Sequence, residues 1–103
     1  MSDVIKSVNL LFKRRLKESE FNSSANELGS LILGCYTERK RRKFIFATVN
    51  LIRELSLSQD ADTNIRKIEK INRNLDRIYE RGWMDYKRYG KAKDILLTIK
   101  RIV

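Results

Sequence analysis

The chain reads as an all-α protein, a compact bundle of four to five amphipathic helices in one domain of residues 1–103. Three observations carry that reading. Proline is absent and glycine occurs only four times, at Gly29, Gly34, Gly82 and Gly90, so the closely spaced turns of an antiparallel sheet have no residues to make them. Apolar residues recur at steps of three and four along most of the chain, the period of one helical face. The 42% hydrophobic content is that of a folded domain, and 103 residues support one hydrophobic core.

The first helix is expected from about Ser2 or Asp3 to Glu18. Val4, Ile5, Val8, Leu11, Phe12 and Leu16 share a face, and Lys6, Lys13, Arg14 and Lys17 occupy the opposite one around Leu10. A second helix is expected after Asn22-Ser23-Ser24, where Ser24 and Glu27 have capping-box spacing, and Leu28, Leu31, Ile32, Cys35 and Tyr36 carry its stripe. Thr37 to Lys43 contains no apolar residue. Phe44, Thr48, Leu51, Ile52 and Leu55 then resume the pattern, either on one bent helix or on a separate one after a break near Thr37 to Lys40; average helix length favours the separate one.

Ser56 to Thr63 is expected as a loop, with Asp60 or Asp62 capping the next helix. That helix, about 62 to 81, carries the seam Ile65, Ile68, Ile71, Leu75, Ile78 and Tyr79 and is stopped by Gly82. Asp85 caps the last helix, whose core face is Tyr89, Ala92, Ile95, Leu96, Ile99 and Ile102; Gly90 weakens its first turns by about 1 kcal/mol. The sequence contains no internal repeat, low-complexity segment or domain boundary.

Several functions have no chemistry to rest on here. Histidine is absent and there is one cysteine, so the commonest general base is missing and no structural zinc site can form within the chain. No phosphate-binding glycine loop, dinucleotide fingerprint or calcium loop occurs. Neither enzymatic activity, a cofactor nor a small-molecule substrate is expected. Cys35 lies in an apolar run and reads as a buried thiol in a chain without disulfides, which points to a reducing, cytoplasmic setting. No targeting segment is evident, and no stretch reaches the roughly 20 apolar residues of a membrane span.

The charge is the extreme quantity: 23 Lys and Arg against 13 Asp and Glu, a net of +10. Such a surface attracts nucleic acid, anionic lipid or an acidic protein. On the fourth helix, Arg66, Lys70, Arg73, Arg77 and Arg81 form a stripe with Asp62, Glu69, Asp76 and Glu80 to one side, and the spacing of Asp62 with Arg66 and of Glu69 with Arg73 predicts solvated ion pairs. Three other patches lack that compensation: Lys6, Lys13, Arg14 and Lys17; the run Arg39, Lys40, Arg41, Arg42, Lys43; and Tyr86, Lys87, Lys91 and Lys93, where aromatic and cationic residues alternate as in surfaces that stack bases and hold phosphates. Trp83 and Tyr89 read as core. Tyr86, Lys93, Leu97 and Lys100 form a mixed strip suited to a protein or a nucleic acid.

These features favour a non-enzymatic nucleic-acid-binding or nucleic-acid-associated accessory protein, for DNA or RNA, acting alone or as a small subunit of a replication, transcription or RNA-processing complex. It would neutralise phosphates without reading sequence, and no segment matches a helix-turn-helix. The alternative is a protein-interaction module (an inhibitor, antitoxin, immunity-type bundle or adaptor) on an acidic partner. The basic amphipathic helix at residues 2–18 also suits a membrane surface.

Overall fold

A computed structural model describes the backbone of residues 2–35 and 39–103 and the side chains of residues 15–35 and 41–103. Four helices account for nearly all of it: α1 (Ser2–Leu33), α2 (Arg39–Arg53), α3 (Ala61–Glu80) and α4 (Tyr86–Ile102). No strand occurs among the described residues. Each helix packs on its neighbours in the chain, and α1 closes the ring by packing on α4. The expected bundle therefore forms with the lower of the two helix numbers.

The lower number comes from α1. The expected boundary at Asn22-Ser23-Ser24 does not exist, because the helix runs through it without interruption. No Pro or Gly breaks the backbone there, and burial of Phe21, Leu28 and Ile32 outweighs the weak capping preference of the three polar residues. The break comes later, at Gly34-Cys35. Tyr36, Thr37 and Glu38 lie outside the described residues, and α2 has begun by Arg39.

The ends of α3 and α4 follow the local chemistry. The Asp60 carboxylate accepts from the Thr63 amide and the Asp85 carboxylate from the Arg88 amide, satisfying donors that the first turn leaves unpaired. The two hydrogen bonds to the Thr63 hydroxyl and amide hold the Asp60 carboxyl below its ordinary value. At the end of α3, Gly82 has φ +74°; its amide donates to the Tyr79 carbonyl and the Trp83 amide to the Ile78 carbonyl. That is the paired ending which the left-handed conformation of glycine permits.

The core runs down the bundle axis through Leu28, Ile32, Ile45, Ile71, Leu75, Ile78 and Ile99, all fully buried, with Cys35 among them as expected. On α2 the deeply buried positions are Ile45, Val49 and Ile52; Phe44 and Leu51 are half-buried at its edge. Among the described residues two polar side chains are buried as well. Thr48 donates to the Phe44 carbonyl and accepts from Asn74, tying α2 to α3. Asn64 donates to the Ser56 carbonyl and accepts from the Ser56 amide and Gln59, which fastens the α2–α3 loop to the first turn of α3.

The molecule measures 59 × 25 × 17 Å, although α3, at 1.5 Å per residue, is only about 30 Å long. The excess comes from α1. Glu27 pairs with Lys91, and Lys17 and Glu18 border one cavity with Ile102 and Val103, so the antiparallel register with α4 reaches the end of α4 at residues 17–18. Phe21 and Asn22 lie level with the α2–α3 loop. The first fifteen residues of α1, about 20 Å of helix, therefore overhang the bundle.

Candidate functional site

The charged side chains of α3 sort themselves by direction. Asn74 and Lys67 reach α2, the latter by an ion pair with Glu54 at 3.7 Å; Asn72 and Asp76 reach α4 through Lys93. At 100° per residue, Arg66, Lys70, Arg73, Arg77 and Arg81 lie on the outer face of α3 on its α2 side. Asp62, Glu69, Asp76 and Glu80 lie toward α4. The five cations are exposed, and among the described residues none has a carboxylate within ion-pair distance. The expected pairs of Asp62 with Arg66 and Glu69 with Arg73 do not form. Both partners are long or exposed side chains, and fixing them would gain only about 0.3–0.5 kcal/mol in water.

Beside this row stands a helix without any acid. From Arg39 to Arg53, α2 carries six Lys and Arg and no Asp or Glu. The helical positions of Lys40 and Lys43 fall on its outer face, and that of Arg41 falls toward α3; those of Arg39 and Arg42 turn toward α1. The side chains of Arg39 and Lys40 lie outside the described residues. The junction between the two cationic helices is Trp83, half-buried between them and packed edge-on against Phe44 at 6.3 Å. The Arg41 guanidinium lies 5.2 Å from the centre of its ring and that of Arg81 5.3 Å. Two like charges, one from α2 and one from the cap that ends α3, thus meet at one indole ring, each attracted by its negative quadrupole.

The third predicted patch is dispersed. Lys91 pairs with Glu27 at 3.4 Å, and Lys93 pairs with Asp76 at 2.6 Å and donates to Asn72. The Tyr89 hydroxyl also donates to Asp76, at 2.5 Å, and the Tyr89 ring stacks on Tyr79 with centroids 4.3 Å apart. Burial pushes the Asp76 carboxyl up, but hydrogen bonds from Lys93 and Tyr89 and the Lys93 charge outweigh it, and the group titrates below its ordinary value. The Asp76 carboxylate in turn pushes Tyr89 up to about 12, helped by burial of the phenol. Of this patch, Tyr86 (76% exposed), Lys87 and Lys91 are open to solvent, Lys91 beside its partner Glu27.

Lys6, Lys13 and Arg14 have side chains outside the described residues; their backbone belongs to the overhang, at the opposite end of the bundle from Trp83. Lys17 is exposed at the base of that overhang. The three patches therefore do not form one surface. One of them, at Arg41 and Lys43 on α2, adjoins instead the α3 row, whose spacing with Asp62 and Glu69 predicts a salt-bridged face. Its distinguishing signal was present in the sequence: the acids of α3 all sit to one side of its cations, and α2 has none.

A second surface lies between α3 and α4. Ile68, Leu96 and Leu97 line a groove together with Glu69, Asn72, Lys93 and Lys100, with Leu97 58% exposed. Among the described residues, no group of Cys, Asp and Glu converges as a metal site requires, and no helix is long and apolar enough to cross a membrane. Compared with known proteins, the chain matches no family model, no curated protein and no solved structure.

Proposed function

We propose that this chain is a non-enzymatic nucleic-acid-binding protein of a reducing, intracellular compartment, and that the α2–α3 face holds the phosphate backbone. The observation that carries the reading is the segregation of charge. An acid-free α2 stands beside a row of α3 cations that have no carboxylate partner among the described residues, and the two meet at a tryptophan ring within cation–π distance of Arg41 and Arg81. Crowded like charges raise the energy of the free protein, and a polyanion laid along the face relieves that repulsion while releasing its own counterions. Arg66, Lys70, Arg73, Arg77, Arg81, Arg41 and Lys43 would make the contacts, joined by Lys40 at the start of α2. Tyr86 and Lys87 stand at the end of α4 from which a strand leaving the face could be stacked. Phosphate contacts of this kind position a duplex or strand without reading its bases.

The test is the salt dependence of binding to labelled single- and double-stranded DNA and RNA, followed by fluorescence anisotropy. Engagement of about six phosphates gives a slope of log K on log salt near −5, and a loss of about 10³-fold between 50 and 200 mM salt. A slope near zero, or no binding at low salt, removes the reading.

The α3–α4 groove favours a second reading. An exposed Leu97 beside Lys100 in a groove lined by Ile68 and Leu96 suits a protein partner with an apolar side chain, in keeping with a small basic subunit of a larger complex.

A further inference from the structure

Exposed aromatic rings gather at the end of the bundle where the α3 row stops. Arg81, the last cation of the row, is joined to Tyr86 by the turn Gly82-Trp83-Met84-Asp85. Tyr86 opens α4 and is 76% exposed, more than any other large apolar side chain among the described residues. Its ring leans on Tyr79, with centroids 6.3 Å apart and planes 58° from parallel, and Tyr79 is itself partly exposed. Behind them stands Tyr89, stacked on Tyr79 at 4.3 Å and fixed by the hydrogen bond from its hydroxyl to Asp76. The exposed ring is thus braced by two tyrosines, yet it is no part of the core. Apolar residues scattered singly on a surface are ordinary; an open ring held by others beside a cationic row is not.

The row has a shape that chooses between nucleic acids. Arg66, Lys70, Arg73, Arg77 and Arg81 follow one another at three- and four-residue steps, a line about 22 Å long at 1.5 Å per residue. Each strand of duplex DNA completes a turn in about 34 Å, so over that length it winds through about two-thirds of a turn and leaves a straight line after a few phosphates. A single strand is free of that winding and can follow the whole row. Its bases are also unpaired, whereas a duplex keeps its base faces on one another and offers none to a side chain. A cationic track with open aromatic rings beside it is the combination that holds single strands.

We infer that the nucleic acid held by this chain is single-stranded, with phosphates along the α3 row and a base stacked on Tyr86 where the strand passes Arg81. This rests on the reading of the α2–α3 face as the phosphate site. Tyr79 backs the stacking ring, and Lys87, exposed beside it, meets the phosphate beyond the stacked base. Of the acids around the rings, Asp76 is engaged by Lys93 at 2.6 Å and Asp85 by the Arg88 amide. Glu80 is exposed on the α4 side of the row, and the strand crosses beside it.

The experiment titrates the intact chain into a labelled DNA strand, the matching RNA strand and the duplex of each, by fluorescence anisotropy over a range of salt. The strands should bind about tenfold or more tighter than the duplexes. Tyr86→Ala should weaken strand binding by about five- to hundredfold, the loss of one stacked base. It should leave the salt slope unchanged, because no phosphate contact is removed. Tyr86→Phe keeps the ring and should bind as the unmodified chain does. Leu16→Ala, at another exposed apolar residue but at the opposite end of the bundle, should have no effect. Duplexes bound as tightly as strands, or strand binding that survives Tyr86→Ala, overturn the inference and leave the phosphate-binding face standing. No binding of either form at low salt overturns both.

Discussion

Single side chains decide where this protein's elements begin, end and join. Asp60, Asp85 and Gly82 set three helix termini through hydrogen bonds no longer than one turn, which is why sequence points to Asp85 and Gly82 and narrows the third terminus to Asp60 or Asp62. Asn64 was not identifiable, since its partners Ser56 and Gln59 are assembled only when the loop folds back on α3. The network of Asp76, Tyr89 and Lys93 was equally hidden, because it joins two helices through polar residues that each looked like solvated surface. It makes a pH-dependent prediction. The phenol of Tyr89 is raised from 10.0 to about 12, so the neutral form is favoured by folding. Its contribution to stability is complete below pH 10 and is lost as pH rises through about 12. Asp76 runs the other way: its pKa is lowered, so its contribution is present above the ordinary carboxylate value and disappears as pH falls through the folded one. Ultraviolet titration of the tyrosines should show one phenol ionising near pH 12, absent in Tyr89→Phe. Four phenols ionising together near 10 would contradict the geometry.

At the scale of the element, α3 and α4 were legible because pattern and punctuation agree: a regular seam, an acidic cap before it and, for α3, a glycine after it. The first helix was misread for a physical reason. Residues 4–16 and 21–32 each keep a helical period, but their apolar faces are out of phase, and a jump in phase beside Asn22-Ser23-Ser24 resembles a boundary between two helices. On the folded chain it is one continuous helix. The distinction is measurable by urea denaturation. Phe21→Ala, which empties a buried site, should cost about 3–5 kcal/mol, whereas Leu16→Ala, on the face turned from the core, should change stability by no more than about 0.5 kcal/mol. Equal losses at the two positions would mean that both halves share one core.

For the whole molecule, the net charge of +10 named a class of partner but not a surface, because the side on which each helix is covered depends on its neighbours. The expected patches on α1, α2 and α4 are runs of cations poor in nearby acids in the sequence. Folding brings Glu27 to Lys91 and Asp76 to Lys93, which compensates part of the α4 patch. It also sets the α3 row, apparently neutralised in sequence, beside an acid-free helix. The bundle thereby acquires a cationic face at α2–α3, a partly apolar groove at α3–α4, and an α1 that overhangs it. The claim that the α2–α3 face binds nucleic acid is tested most directly by exchanging equal charge at two places. Arg66, Lys70, Arg73 and Arg77 are replaced by Gln in one variant, and Lys6, Lys13, Arg14 and Lys17 in another, and each is titrated into labelled DNA and RNA at one salt concentration. Loss of four phosphate contacts should weaken the first variant by about 10²-fold or more and flatten its salt slope by roughly 4, with the second close to the unmodified chain. Equal losses in the two variants would show that only net charge matters, and would contradict a built face.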